Sequence, residues 1–97
     1  MAAYFIADLT IEDMPGLQHY VQAVPATIQK YGGRYLVRGA TWEPVEGDWQ
    51  PNRIVVLEFP SMERAKAWYA SAEYEPLKQE RQKAARTNII LVEGVPW

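Results

Sequence analysis

The stretch Tyr31-Gly32-Gly33-Arg34-Tyr35-Leu36-Val37-Arg38-Gly39, read as YGGRYLVRG, decides how the rest of the chain is ordered. Glycines that cradle a phosphate run from a strand into a helix, so that the helix N-terminal amides face the anion. Here the order is reversed. Upstream, Leu17, Tyr20, Val21, Val24, Ile28 and Tyr31 recur at steps of three and four, the stripe of an amphipathic helix. Downstream, Arg34 to Trp42 reads as a strand. Gly32 and Gly33 therefore stop a helix, at the negative end of its macrodipole, and the phosphate-loop reading fails.

Working outward, Ala2 to Thr10 is a dense apolar run broken only by Asp8, and reads as a strand covered on both faces. Asp13 caps the helix that follows, with Pro15 in its first turn. Pro25 interrupts the stripe and should cost a backbone hydrogen bond and kink the helix, with nothing in the sequence to compensate. After the strand at Arg34–Trp42 comes the loop EPVEGDWQPN, then a strand over Arg53–Phe59. Ser61 caps a second helix with Ala65, Trp68, Tyr69 and Ala72 on its apolar side. A break near Ser71 leads to a further helical piece, on which Tyr74, Leu77, Arg81 and Ala85 share a face. Thr87 to Val95 is the last strand.

The order βαββαβ predicts an α+β, ferredoxin-like domain over residues 1–97: a four-stranded antiparallel sheet with the helices on one face. The strands do not alternate cleanly. Tyr4/Ile6, Ile54/Val56 and Ile89/Leu91 are as apolar as the positions between them, so both faces of the sheet should be dry. A second copy is the simplest cover for the face without helices, which predicts a homodimer joined through the sheets.

Composition narrows the partners. The absence of cysteine excludes disulfides, thiolate catalysis and thiolate metal sites. Ten basic against twelve acidic residues, with no basic run, argue against nucleic acid. No apolar run approaches the ~20 residues of a membrane span, and the N-terminus lacks a positively charged leader, so a cytoplasmic protein is expected. One histidine without cysteine predicts no metal site. Four Trp and six Tyr are many for a small domain, and such side chains favour interfaces and pockets.

Few side chains are placed for chemistry. Period two puts Arg34, Leu36 and Arg38 on one strand face, where two guanidinium forks could clamp a carboxylate. Pairing Leu36 opposite Glu58 would set both arginines diagonal to that carboxylate, and a slip of one would move Glu58 to the other face. Either a ligand clamp or a structural ion pair fits this pattern. His19, early in the first helix, is the candidate general base, with an exposed helix histidine as the alternative, and Glu58 is the candidate carboxylate. An aromatic hollow between sheet and helices, near Trp68, Tyr69 and Tyr74, is the expected small-molecule site.

Four blocks carry a family resemblance: GGRYLVRGA at Gly32–Ala40, VEGDWQPNRIVVLEFPS at Val45–Ser61, AWYASAEYEPLKQER at Ala67–Arg81 and LVEG at Leu91–Gly94. Together they resemble the bacterial domain-of-unknown-function family 1330. The resemblance implies the dimeric α/β-barrel superfamily, in which two ferredoxin-like units face their sheets together. It supplies no reaction. The matching positions Gly32, Gly33, Arg34, Arg38, Arg53, Glu58, Tyr69, Tyr74 and Arg81 imply a shared ion-pair network or a shared pocket. Of these, Arg34, Arg38, Arg53, Tyr69, Tyr74 and Arg81 are the expected ligand-binding set. The superfamily includes cofactor-independent monooxygenases, which adds an enzymatic alternative: cofactor-free oxygenation or isomerisation, with Arg38 on an anionic oxygen and His19 or a carboxylate moving a proton. No cofactor is expected on either reading, and a dimer without turnover is the third.

Overall fold

The computed structural model describes residues 1–96. The elements run β1 (Ala3–Ile11), α1 (Met14–Lys30), β2 (Arg34–Arg38), β3 (Arg53–Phe59), α2 (Met62–Tyr69), α3 (Glu75–Ala84) and β4 (Ala85–Glu93). The strands form one antiparallel sheet in the order β2-β3-β1-β4. The β1-to-β2 and β3-to-β4 connections both cross over through helices, which places α1, α2 and α3 on one face. This is the expected ferredoxin-like arrangement.

Local chemistry sets the boundaries. The Asp13 carboxylate accepts the Gly16 N–H at 3.0 Å and starts α1. Ser61 Oγ accepts the Arg64 N–H at 3.1 Å and starts α2. At the break, Ser71 Oγ donates to the Trp68 carbonyl at 2.7 Å and accepts the Tyr74 N–H at 3.2 Å, turning α2 into α3. Gly32 takes the left-handed φ of 81° that ends α1. Gly33 is needed for another reason, because a Cβ there would lie 2.6 Å from the Phe59 ring.

The core lies between sheet and helices. Phe5, Leu57 and Phe59 face Val24, Ile28, Trp68, Tyr74 and Leu77. Trp68 is its centre, with ring centroids 5.5 Å from Phe5, 5.4 Å from Phe59 and 4.1 Å from Tyr74. The other face carries Tyr4, Ile6, Ile54, Val56, Ile90 and Val92, alternating with the core positions. Ile90 is 58% exposed there. Trp49 comes over this face from the loop between β2 and β3, and lines a hollow with Ile6, Asp8, Ile54, Asn88 and Ile90.

Several boundaries differ from the sequence reading, and β1 is shifted by one residue to Ala3–Ile11. β2 ends at Arg38, not Trp42, because Gly39 takes φ 68° and sends its N–H to the Ile54 carbonyl at 2.7 Å. Ala85 does not continue the helical face. Its backbone is already extended (φ −148°, ψ 141°), so β4 leaves α3 directly and ends at Glu93. No helix among the described residues is long and apolar enough to cross a membrane.

Candidate functional site

The strand after the glycines does not keep its period. β2 pairs Arg34 with Glu58 and Tyr35 with Leu57, but then Val37 with Val56 and Arg38 with Val55. Leu36 is the extra residue of a bulge, and it flips the rest of the strand. Arg34 therefore stands on the bare face, where its Nε donates to Glu58 Oε1 at 2.7 Å. Arg38 stands on the helix face with Tyr35 and Val55. Both registers expected from the sequence are corrected, since neither allows for an inserted residue, and the two-arginine clamp does not exist. Arg34 and Glu58 form an ion pair by themselves.

Arg38 reaches from the sheet edge to α1. Its Nη2 donates to the Val21 carbonyl at 2.9 Å, and its guanidinium lies 4.5 Å above the centre of the Tyr35 ring. The Val21 carbonyl would accept the N–H of residue 25 in a regular helix, but residue 25 is proline and has none. The arginine thus supplies the hydrogen bond that Pro25 removes. The compensation missing from the sequence lies seventeen residues away from Val21, on another element.

Below Arg38 a cavity of about 60 Å³ opens between sheet and helices, enough for several waters. Its walls are apolar: Phe5, Leu17, Val24, Leu57, Trp68 and Ile89 among them. Its polar side chains are Arg38, Arg53, Arg81, Tyr20, Tyr35, Tyr74 and Thr87, and no aspartate, glutamate or histidine joins them. Arg53 lies flat on the backbone of Gly39, where a Cβ would come within 2.4 Å of its Cζ. The third glycine of YGGRYLVRG therefore has a role in the site.

The floor is the most unusual part. Arg81 is only 5% exposed, yet among the described residues no carboxylate pairs with it, nor with Arg38 or Arg53. Its Nε donates to Tyr74 Oη at 3.3 Å, and Tyr74 Oη shares a hydrogen bond with Tyr20 Oη at 2.8 Å. Burial opposes the charge on Arg81, but the tyrosine oxygens of Tyr74, Tyr20 and Tyr69 carry its pKa above the ordinary value, and it stays cationic. Burial, reinforced by the Tyr74 neighbour, pushes the Tyr20 hydroxyl well above the usual phenol range. Burial also raises Tyr35, partly offset by Arg38. Thr87 Oγ1 is buried without a hydrogen-bond partner.

The expected site residues divide accordingly. Arg38, Arg53, Tyr74 and Arg81 line one cavity. Tyr69 packs behind it, 5.7 Å from Tyr74, with the Lys78 ammonium 4.4 Å above its ring. His19 is turned outward and pairs with Glu80 on α3 at 2.9 Å, so it does not reach the cavity as a general base. Glu58 and Arg34 are on the opposite side of the sheet. Tyr20, Tyr35 and Thr87 were missed as site residues. Tyr20 and Tyr35 read as ordinary core positions, and Thr87 carries no motif at all. Among the described residues, no three His, Asp or Glu side chains gather as a metal site.

One sheet, helices on a single face and an arginine-lined hollow between them define a ferredoxin-like protein with an internal polar pocket. The sequence model of the family described as a domain of unknown function (DUF1330) matches residues 2–95, and the chain belongs to that family. Solved structures share the fold at low identity. A protein of unknown function from Rhodopseudomonas palustris superposes with a TM-score of 0.77 at 14% identity, covering 98% of this chain and 83% of its own. A dimeric ferredoxin-like protein of unknown function from Jannaschia sp. CCS1 gives 0.72 at 10% identity, over 97% and 100%. The cofactor-independent oxygenase SnoaB from Streptomyces nogalater gives 0.67 at 9% identity, over 99% and 95%. No protein of curated function matches the chain in sequence.

Proposed function

We propose that this chain binds a small organic anion with an apolar body in the cavity between sheet and helices, working as a homodimer joined through the bare sheet faces. The observation that carries the first part is Arg81, a cationic residue 5% exposed with no carboxylate beside it among the described residues. A buried cation without a counter-charge costs several kcal/mol, and a bound anion would offset that cost. Arg38 and Arg53 on the same wall add to the positive potential, and the apolar remainder suits a hydrocarbon or aromatic body. The enclosed volume takes the anionic head, with the rest of the molecule in the open mouth. The dimer draws support from the apolar bare face, and the Jannaschia protein of the same fold is described as dimeric.

The oxygenase reading would bring to this chain the activity named for SnoaB. Its proton acceptor was to be His19 or Glu58, and neither lines the cavity. Binding is therefore the reading we put first.

Benzoate tests it, by thermal denaturation at fixed protein concentration. At a hundredfold excess over its Kd it should stabilise the wild type by about 2.7 kcal/mol. Arg81→Met should lose that response while His19→Ala keeps it. A benzoate response undiminished in Arg81→Met, or no response to small carboxylates in the wild type, would refute the assignment.

A further inference from the structure

We infer that the cavity selects the ionised form of its ligand and lowers the pKa of a bound planar weak acid, a phenol or enol, without any protein base. This deepens the anion-binding reading above and rests on it.

Donors far outnumber proton-accepting groups around the cavity. Arg38 and Tyr35 face it from β2, Arg53 from β3, Tyr20 from α1, Arg81 from α3, Tyr74 from the turn before α3, and Thr87 from β4. β1 contributes only apolar Phe5, Ala7 and Leu9. Arginine only donates, and it does not give up its proton. Tyr74 Oη already accepts from Arg81, and the two hydroxyl protons of Tyr74 and Tyr20 share one contact. One proton lies between the two oxygens, so the other points elsewhere. The Thr87 hydroxyl is also free to donate. These groups present several hydrogens and no carboxylate or imidazole to receive one.

A neutral acid entering this space finds only hydroxyl oxygens to accept its O–H, and no carboxylate or imidazole. Its conjugate base finds guanidinium and hydroxyl donors held in place beforehand, where burial strengthens each of them. The ionisation balances simply. The ligand O–H bond breaks, its electron pair stays on the oxygen, and the proton leaves through the mouth to water or buffer. His19 and Glu58 have no part in it. The apolar walls of Phe5, Trp68 and Leu57 favour a ligand whose charge sits on a planar carbon framework.

4-Nitrophenol reads this directly, because its phenolate absorbs apart from the phenol. Its ionisation midpoint should fall by about one pH unit or more when bound, which is tenfold tighter binding of the phenolate than of the phenol. Thr87→Val, nearly isosteric, should fold at least as well as the wild type and shrink the shift severalfold. Arg81→Met should abolish it. An unmoved or raised midpoint in the bound probe overturns the inference, and so does failure of the probe to bind while benzoate binds. In both of those results the anion-binding reading survives if benzoate still stabilises the protein through Arg81. Failure of both ligands removes the two together.

Discussion

Substituting Pro25 and Arg38 separately and together tests whether one repairs the other. Arg38→Met removes a charged donor and leaves the Val21 carbonyl without its partner. Arg38 is an exposed rim residue, so water partly replaces it, and the loss should be about 1 kcal/mol rather than the larger cost of a fully buried group. Pro25→Ala returns the N–H to the helix and relieves the ring's clash with that carbonyl. It should stabilise by roughly 1–2 kcal/mol after allowing for the greater freedom of the unfolded chain. In the Pro25→Ala background the Val21 carbonyl is already satisfied, so Arg38→Met should cost nearly nothing through this bond. The stacking on Tyr35 is lost in both backgrounds and cancels in the cycle. Urea denaturation of the four proteins at one concentration should give a coupling of about 1 kcal/mol, or roughly 4–8 °C in Tm for a domain of this size. An equal cost of Arg38→Met in both backgrounds would show that the arginine does not serve the proline.

Two further expectations concern the tyrosines and the bare face. The Tyr20 hydroxyl is held protonated by burial, so above about pH 10 the folded state keeps a proton that the unfolded chain releases, and stability falls as pH rises. Tyr20→Phe should be less stable than wild type by about 1 kcal/mol near neutrality, through its lost bond to Tyr74. That gap should narrow by about 1 kcal/mol between pH 9 and 11, and a constant gap in urea midpoints would contradict it. Light scattering should show a dimer for the wild type. Ile90→Lys, placing a charge in the middle of the bare face, should shift it to monomer. A monomeric wild type, or a variant that stays dimeric, would leave that face without the partner proposed for it.

What was legible in the sequence was whatever depended on one segment at a time. The stripe Leu17–Tyr31, the caps Asp13 and Ser61, and the polarity of Gly32-Gly33 each carry their meaning within a few residues, and the structure has them as read. The two-sided apolar strands were equally plain. The site was not. Whether Arg34 and Arg38 share a face depends on the bulge at Leu36, and an inserted residue leaves no mark in a run such as RYLVR. Arg81 entered the expected ligand-binding set through the family resemblance and shares a helical face with Tyr74 and Leu77, neither of which marks it as a buried cation. That it is a buried cation without a carboxylate depends on what β3, β4 and α1 place around it. Thr87 is conspicuous only because its oxygen is left unpaired in three dimensions.

Pro25 and the Leu36 bulge each break a local rule of their own element, and they meet at one point. The bulge turns Arg38 onto the helix face, and the proline leaves a carbonyl there for it to hold. Without the bulge, Arg38 would stand beside Arg34 on the bare face. Without the proline, α1 would have no acceptor at Val21 and the arginine would be free to leave the rim. Local violations that compensate each other are expected at functional sites more than in the structural core. Here the compensation hangs a cation over the mouth of a cavity whose floor holds another, and Gly39 leaves room for the third. Simple stability would be served better by an alanine at position 25 and an uninterrupted strand. The chain has given up both, and what it has in return is three arginines around an apolar space with no carboxylate among them.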